Sequence, residues 1–211
     1  MKNLAILMVS LLVVTFCSSA IADSYADAVL EYIEGPGVGD STVEPPNGNN
    51  NPEAALGAPE GSSVSGSGLF VSLGDEGYIE LAFTDNFVVD GPEDDLTVYE
   101  VGSQEGASVY VSGEFGTVDW VFLGSLNGTT SFDLSSIGLS WVNAVKIVDD
   151  GVGGSDLPYA GADIDAVKAL NWASVLYTVV RDEECKVKFE DAVNPQGEDD
   201  WGWTIRQPVV K

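Results

Sequence analysis

Short strand-like segments follow one another along most of the sequence, separated by turns rich in Gly, Asn, Asp and Pro. This alternation predicts β-strands, because β-branched and aromatic side chains favour extended backbone and the turn residues end each run. No long stretch has the three- and four-residue spacing of apolar side chains that indicates a helix. We therefore expect an all-β fold, an antiparallel β-sandwich. The expected strands span residues 26–33, 69–73, 77–84, 96–101, 108–112, 120–123, 129–134, 142–148 and 164–170.

One expected strand, residues 96–101, has an acidic residue on its apolar face. Side chains alternate between the two faces of a strand, so Leu96, Val98 and Glu100 share one face. If Leu96 and Val98 face the core, Glu100 faces it too. Two interpretations are open: Glu100 anchors a cation or a backbone network, or the strand ends there and its carboxylate turns into water.

The first 22 residues are expected to be a secretory signal peptide. Lys2 is followed by an apolar run at residues 4–16, which is too short to span a bilayer. Ala20 and Ala22 then form the small-residue pattern of a cleavage site. We therefore expect a protein that is secreted, extracellular or at the cell surface, without membrane insertion, and cleaved after Ala22.

Cysteine and histidine usage narrows the chemistry. Of the two cysteines, Cys17 lies in the expected signal peptide, and lipid attachment there is disfavoured by the bulky residue before it. Cys185 is then alone, so it either faces inward on an edge strand or links two chains into an oligomer. The sequence has no histidine, which excludes a histidine-based catalytic triad and a histidine-ligated zinc site.

The chain is strongly acidic, with 34 acidic and 8 basic residues and a formal net charge of −26 at pH 7. Nucleic acid and anionic membrane surfaces are disfavoured as partners, because both bind basic patches. Mutual repulsion among so many carboxylates destabilises a compact fold unless cations offset it. Two explanations are open and can both hold: a solvated surface suited to a saline habitat, and Ca²⁺ binding by some of the carboxylates.

Two segments without the strand pattern set the expected domain organisation. Residues 35–68 form a long loop rich in Gly, Pro, Asn and Ser inside the expected β-sandwich domain of residues 23–171. Loops of this length are usually functional or disordered. Residues 172–211 are expected to form a short C-terminal extension, either edge strands or a flexible tail. Separately, the Asn127-Gly128 step predicts a hairpin turn.

Several motifs occur in order along residues 26–170, and they resemble those of a known family. They read NPEAALGAPEG, VSLGDEGYIELAFTDNFVVDGPEDDLTVYE, SFDLSSIGL, VNAVKIVDD and GADIDAVKAL. The resemblance is to secreted microbial cell-surface proteins with SLG-GG-I-L-F-DN, GPG-D-TVFE, VKIVD and GFDIDAV motifs. That family is similar to the galactose-binding, discoidin-like jelly roll of many carbohydrate-binding modules, which often hold structural Ca²⁺. The resemblance therefore implies a sandwich of jelly-roll type, although residues 92–94 and Ala162 depart from the pattern.

The resemblance also implies a set of metal ligands, with Ca²⁺ as the expected cofactor. The acidic positions that recur in the family are occupied here by Asp95, Glu100, Asp149, Asp163 and Asp165. Asp163 and Asp165 are two residues apart in a strand, so both are expected on one face, where they repel each other unless a cation or proton lies between them. The alternative is that the aspartates cap turns.

Aromatic residues form a second group of candidates. Trp120 and Trp141 lie on or beside expected strands and are predicted to pack in the core. Tyr159 lies in a Gly-rich loop, and Trp201 and Trp203 lie in the polar extension. These three are expected to be exposed and to bind the ligand, by stacking on sugar rings or by filling a pocket of a partner. The alternative is that the tail packs back onto the sandwich.

Together these features predict a secreted, Ca²⁺-stabilised, non-enzymatic binding module whose partner is a glycan or another cell-surface component. The alternative is a structural cell-surface or matrix protein without a small ligand, and the third possibility is a glycan hydrolase. A hydrolase needs two carboxylates that flank a cleft. Among 34 acidic residues such a pair can always be found, so the sequence alone does not indicate a catalytic pair.

Overall fold

The computed structural model describes residues 23–38, 49–61, 68–102, 105–113, 119–152 and 160–174, together with two short strands at residues 180–181 and 187–188. Within these residues the fold is almost entirely β, with two short 3-10 helices at Pro52–Ala55 and Leu134–Ile137. None of the helices in these residues is long and apolar enough to cross a membrane. The strands are β1 Ala28–Ile33, β2 Val71–Ser72, β3 Tyr78–Ala82, β4 Asn86–Val89, β5 Leu96–Glu100, β6 Gly106–Ser112, β7 Val121–Asn127, β8 Thr130–Phe132, β9 Trp141–Val142, β10 Ala144–Asp149, β11 Asp163–Ala169, β12 Trp172–Ser174, β13 Val180–Arg181 and β14 Val187–Lys188.

Two antiparallel sheets share one apolar core. The five-stranded sheet has the strand order β1-β3-β10-β6-β7, and the four-stranded sheet has the order β2-β11-β5-β8. Strands β12, β4 and β9 form a smaller third sheet, and β13 pairs with β14. The core cluster takes buried side chains from both large sheets. The antiparallel sandwich of jelly-roll type that the sequence predicts is confirmed.

Strict alternation along the central strands separates the core from the outer face of the five-stranded sheet. The inward side chains of β3, β10 and β6 are fully buried aliphatic residues, each of which contributes about 1.5–3 kcal/mol through burial. They are Ile79, Leu81, Val109, Val111, Val145 and Ile147. The residues between them therefore point outward, where they form a continuous surface across the sheet.

The prediction of a hairpin turn at Asn127-Gly128 is wrong. Gly128 does adopt a left-handed φ of 72°. However, β7 pairs with β6 in the five-stranded sheet, whereas β8 pairs with β5 in the four-stranded sheet. The turn therefore carries the chain from one sheet to the other. The local turn signal is correct, but the pairing partner of each strand is set by distant parts of the chain.

Part of the long loop packs onto the sandwich. The first 3-10 helix begins after Asn51, whose side-chain oxygen accepts a hydrogen bond from the backbone N–H of Glu53. Ala55 in this helix is fully buried and belongs to the core cluster. Backbone hydrogen bonds join Gly57 to Ala26 and Ser72 to Asn49. The loop thus contributes to the core next to the strands that hold the acidic residues.

Candidate functional site

Three of the five predicted metal ligands are buried and hold loops together through hydrogen bonds. We call Asp95, Asp149 and Asp165 the loop-tying aspartates. Asp95 accepts hydrogen bonds from the backbone N–H groups of Gly91, at 2.8 Å, and Leu134, at 2.9 Å. Its Oδ1 also accepts one from the side-chain amide of Asn171 at 2.8 Å. Both carboxylate oxygens of Asp95 are therefore occupied by donors from the protein itself.

The other two loop-tying aspartates have the same kind of partners. Asp149 accepts hydrogen bonds from three backbone N–H groups, those of Glu76 at 3.2 Å, Gly151 at 2.8 Å and Ala162 at 2.9 Å. Asp165 accepts two, from residue 60 at 3.1 Å and residue 61 at 2.8 Å. Backbone donors stabilise a buried carboxylate, so the burial of these three side chains needs no bound ion.

Asp163 and Asp165 do not share a site, contrary to the expectation from their spacing. The pairing of β11 with β5 shifts register between Ile164 and Ala166, so Asp165 is the extra residue of a β-bulge. Asp165 binds the backbone of the long loop, whereas Asp163 accepts a hydrogen bond from the hydroxyl of Ser72 at 2.5 Å. The bulge therefore gives the two carboxylates separate partners.

Glu100 and Asp163 form the second group of buried acids, which we call the carboxylate pair. They lie at the ends of adjacent strands, where the backbone N–H of Val101 donates to the carbonyl of Asp163 at 3.0 Å. Glu100 is 8% exposed and Asp163 is 9% exposed. Burial, with the charges of Asp163 and Glu105, raises the pKa of Glu100 from 4.5 to about 8. Burial also raises the pKa of Asp163 from 3.8 to about 7, against the opposing effect of the Ser72 hydroxyl.

Among the described residues, no backbone N–H donates to either carboxylate of the pair, unlike the loop-tying aspartates. Oε1 of Glu100 is buried and has no hydrogen-bond partner among the described residues. Ser72 and Glu105, both buried beside the pair, were not identified from the sequence. Ser72 lies directly opposite Asp163 in the pairing of β2 with β11. Only the strand order brings these residues together, so no local sequence signal could have found them.

A third acidic group lies at the turn after β4. Asp90, Asp95 and Asp133 each bring a carboxylate oxygen within 4.8 Å of the others, the one such group of three among the described residues. Asp133 caps the second 3-10 helix by accepting the N–H of Ser135 at 2.8 Å, and Asp95 is occupied as above. Partial burial and the charges of Asp95 and Asp133 raise the pKa of the exposed Asp90. Hydrogen bonds to the surrounding turns therefore explain the positions of Asp95 and Asp133.

The outer face of the five-stranded sheet has four aromatic side chains around one lysine, and we call this surface the aromatic face. Its residues are Tyr78, Tyr110, Trp120, Phe122 and Lys146. Lys146 Nζ lies 3.7 Å from the ring centroid of Tyr78 and 5.9 Å from that of Trp120. The rings of Tyr110 and Phe122 meet edge to face with centroids 5.5 Å apart, and Phe122 is 50% exposed. Strand register places Tyr110 between Lys146 and Phe122.

Polar groups lie among these rings. Lys146 forms an ion pair with Glu80 at 2.9 Å between Nζ and Oε1. The hydroxyl of Tyr78 donates a hydrogen bond to Glu31 at 2.8 Å, and this bond raises the pKa of Tyr78 to about 12. The aromatic face therefore combines ring surfaces with charged donors and acceptors in one plane, which is the combination that recognises an amphipathic ligand.

The prediction that Trp120 and Trp141 pack in the core is wrong, because both are half-buried at the surface. Trp120 lies immediately before β7, beside Lys146. Trp141 packs against Phe87, with ring centroids 5.8 Å apart. Strand periodicity does not separate a core tryptophan from one at the start of an edge strand, where one side of the ring has no neighbouring strand to cover it.

The predicted ligand-binding residues lie outside the described part of the chain. These are Tyr159, Trp201 and Trp203, and the same holds for Cys185, the expected link between two chains. Their placement as ligand contacts and as an oligomer contact stays a prediction.

Neither of two surface pockets formed by the described residues holds the carboxylate pair. One is lined by Gly113 and residues 138–141, and the other by residues of the long loop together with Leu69. A glycan hydrolase needs its acid and its base or nucleophile on a cleft that admits the sugar. The burial of Glu100 and Asp163 away from both pockets gives no such arrangement.

No protein-family model and no curated protein sequence matches the chain. Solved structures do resemble it, and two of them are carbohydrate-binding modules. One is chitosan-binding module 1 derived from a chitosanase/glucanase of Paenibacillus sp. IK-5, with 14% identity, a TM-score of 0.42, and coverage of 71% of this chain and 97% of that chain. The other is the family 32 carbohydrate-binding module from Streptococcus pneumoniae EndoD, with 13% identity, a TM-score of 0.40, and coverage of 68% and 94%.

Proposed function

We propose that the protein is a secreted, non-enzymatic module that binds a polysaccharide outside the cell through the aromatic face. The observation that supports this proposal is the aromatic face itself. Lys146, Tyr110 and Phe122 lie at neighbouring register positions of the five-stranded sheet, and the rings of Tyr78 and Trp120 lie near Lys146. Monomeric proteins seldom leave such a surface uncovered unless it binds a partner. A sheet face is also flat and extended, which suits a chain of sugar rings better than a compact ligand.

The side chains of the aromatic face favour one class of glycan. The C–H faces of pyranose rings stack on aromatic side chains, and their hydroxyls exchange hydrogen bonds with groups such as Lys146 and Glu80. The protein has a net charge of −26, which repels polyanions. The expected ligands are therefore neutral or amino-bearing polysaccharides rather than glycans rich in uronic acid or sulfate.

Affinity electrophoresis through gels that contain soluble polysaccharides tests the proposal. Trp120→Ala and Tyr110→Ala should each weaken binding about tenfold, which corresponds to about 1.4 kcal/mol. Tyr99→Ala is the matched control. Tyr99 is also a half-buried strand tyrosine, but it lies on β5 in the other sheet, so this variant should bind like the unmodified protein.

Three outcomes would contradict the proposal. The first is binding that Trp120→Ala and Tyr110→Ala leave unchanged. The second is self-association of the protein without sugar that Phe122→Ala abolishes, because the aromatic face would then be a contact between copies in a structural protein. The third is release of reducing ends from the polysaccharide, since turnover would make the protein a hydrolase.

A further inference from the structure

The residues that follow the expected cleavage site are held against the sandwich by hydrogen bonds. The backbone N–H of Ala169, in β11, donates to the carbonyl of Ser24 at 2.7 Å. Ala26 is 2% exposed and belongs to the core cluster. The side-chain amide of Asn86, at the start of β4, donates a hydrogen bond to the backbone carbonyl of Asp23. Residue 23, the first after the expected cleavage site, therefore has a defined position beside β4.

Two side-chain oxygens near Asp23 have no hydrogen-bond donor. Oδ1 of the fully buried Asn86 has no partner among the described residues, and the same is true of the buried Oδ1 of Asp85. Burial, with the charges of Asp27 and Asp23, raises the pKa of the Asp85 carboxyl. Buried polar atoms are almost always hydrogen-bonded, so both oxygens need a donor. The acids around Asp85 favour a donor with a positive charge.

Neither of the two lysine side chains that the structure describes is this donor. Lys146 forms its ion pair with Glu80 on the aromatic face. Lys168 lies over the ring of Tyr25, with Nζ 5.6 Å from the ring centroid. The donor therefore has to come from a group that is created or bound at this place.

We propose that signal-peptide cleavage creates the donor, because the new α-ammonium group of Asp23 binds the unsatisfied oxygens of Asp85 and Asn86. Hydrolysis of the bond between Ala22 and Asp23 consumes one water, leaves a carboxylate on Ala22 and gives an amine on Asp23 that takes up a proton. The ammonium group has three N–H donors and a positive charge. The peptide nitrogen that it replaces has a single N–H and no charge.

Covalent geometry places the new ammonium group within reach of its partners. The nitrogen of Asp23 is two bonds from the carbonyl carbon of the same residue, a distance of about 2.5 Å. The oxygen of that carbonyl already accepts a hydrogen bond from the amide of Asn86. Rotation about the backbone bonds of Asp23, which the preceding chain restricts before cleavage, is free once that chain is removed. Cleavage thus completes a polar network in the folded protein.

The inference depends on the secretion and cleavage that belong to the proposed function, but it does not depend on sugar binding. Before cleavage, Asp23, Asp27 and Asp85 have no positive partner among the described side chains. After cleavage, one of the three negative charges is offset. The chain that begins at Asp23 should therefore be more stable than the chain that still carries Ala22, in which the ammonium group is one residue further away.

The pKa of the α-amine tests this inference. Mass spectrometry of the protein exported from a secreting host should first show that it begins at Asp23. Trace acetylation over a series of pH values then gives the pKa of the amine, which is ordinarily about 7.7–8.0. The amine of Asp23 should bind its proton at least about tenfold more tightly than the amine of protein that retains Ala22.

Asp85→Asn should return the pKa of the Asp23 amine to the ordinary range, because it removes the charged partner. The matched control is Asp90→Asn. Asp90 follows the other end of β4, so its loss should leave the pKa of the amine unchanged. The thermal midpoint of the protein that begins at Asp23 should also lie about 2–4 °C above that of the protein with Ala22, and Asp85→Asn should abolish this difference.

The inference is overturned if the exported protein begins at another residue, or if the amine of Asp23 has the same pKa as the amine of Ala22. It is also overturned if Asp85→Asn leaves the pKa raised. If Asp85→Asn does not fold, the comparison of the chains with and without Ala22 decides the matter alone. No sugar is present in these measurements, so either result leaves the proposal for the aromatic face to be decided by its own experiment.

Discussion

The loop-tying aspartates and the carboxylate pair are all buried, yet they are stabilised in different ways. Asp149 receives three backbone N–H donors, and Asp95 receives two and a side-chain amide. In contrast, Glu100 has a buried oxygen with no partner among the described residues, and its pKa rises to about 8. The number of N–H donors, rather than the degree of burial, separates the two groups.

The five predicted metal ligands therefore divide into two groups according to their hydrogen-bond donors. Members of the two groups can lie close together in sequence, as Asp163 and Asp165 do in β11. They differ in the backbone that surrounds them. Where turns point their N–H groups at a carboxylate, the charge is already stabilised. Where none do, an ion or a proton has to supply the stabilisation.

The largest expected effect is the loss of a loop-tying aspartate. Asp95→Asn replaces one accepting oxygen by an NH₂ group, so the buried N–H of Leu134 or its neighbours lose an acceptor. The free energy of unfolding should fall by about 2–3 kcal/mol. Urea denaturation measures it, with Asp119→Asn, an exposed acid, as a control that should change by less than about 0.5 kcal/mol. A loss that appears only when Ca²⁺ is present would place Asp95 in an ion site instead.

The second expected effect is a pH dependence of the metal-free protein. The pKa of Glu100 rises from 4.5 to about 8 and that of Asp163 from 3.8 to about 7, so between about pH 4 and pH 8 the folded state holds more protons than the unfolded state. Stability in EDTA should therefore be greatest near pH 4–5 and should fall as the pH rises through this window.

Thermal melting in EDTA from pH 5 to pH 8 measures this trend. The general repulsion among exposed acids also changes with pH, so the double variant Glu100→Gln with Asp163→Asn serves as the control and should show a flatter profile. A double variant with the same slope as the original protein would mean that the pair does not hold the extra protons.

The third expected effect is a stabilisation of the metal-free protein by Glu100→Gln at pH 8. The substitution keeps the shape of the side chain and removes a buried charge that has no basic partner among the described side chains. It should raise the free energy of unfolding in EDTA by about 1 kcal/mol. Urea denaturation at pH 8 measures it. A large destabilisation in EDTA would contradict this expectation, because it would show that the carboxylate of Glu100 makes a contact within the protein that an amide cannot replace.

The smallest expected effect is that of removing one hydrogen bond to an acid at the surface, Glu31. Tyr78→Phe removes the hydroxyl that donates to Glu31 on the aromatic face. Because both groups are solvated, the free energy of unfolding should change by less than about 0.5 kcal/mol, with or without Ca²⁺. The same denaturation curves measure it. A larger change would show that a hydrogen bond to an acid stabilises the protein even at the surface. The contrast between the loop-tying aspartates and the carboxylate pair would then not be specific to buried acids.

Strand periodicity was sufficient to predict the sandwich, and it placed Glu100 correctly on the core face of its strand. It did not identify β4, it ran β9 and β10 together as one strand, and it left open whether the segment that holds β12 forms strands. Strands β4, β9 and β12 are short and make up the smaller third sheet, so they show no clear alternation. It also missed the bulge at Asp165, because a bulge depends on how two strands align and not on either strand alone.

The candidate sites were harder to predict because they too depend on how distant strands align. The aromatic face joins side chains from β3, β6 and β10 with residues at the start of β7, and the surroundings of Glu100 depend on β2, β11 and the start of β6. Residues far apart in sequence become neighbours only through the strand order. The backbone donors of the loop-tying aspartates come from turns whose conformation the sequence does not specify without the fold.

The most direct test of the account is the effect of Ca²⁺ on thermal melting of three proteins, the original, Glu100→Gln and Asp149→Asn, each in EDTA with matched ionic strength and in millimolar Ca²⁺. We predict that Ca²⁺ raises the midpoint of the original protein and of Asp149→Asn by the same amount, although Asp149→Asn melts lower in both buffers. Glu100→Gln should show no response to Ca²⁺ beyond that of Na⁺. A full Ca²⁺ response in Glu100→Gln, or its loss in Asp149→Asn, would contradict the division between the two groups of buried acids.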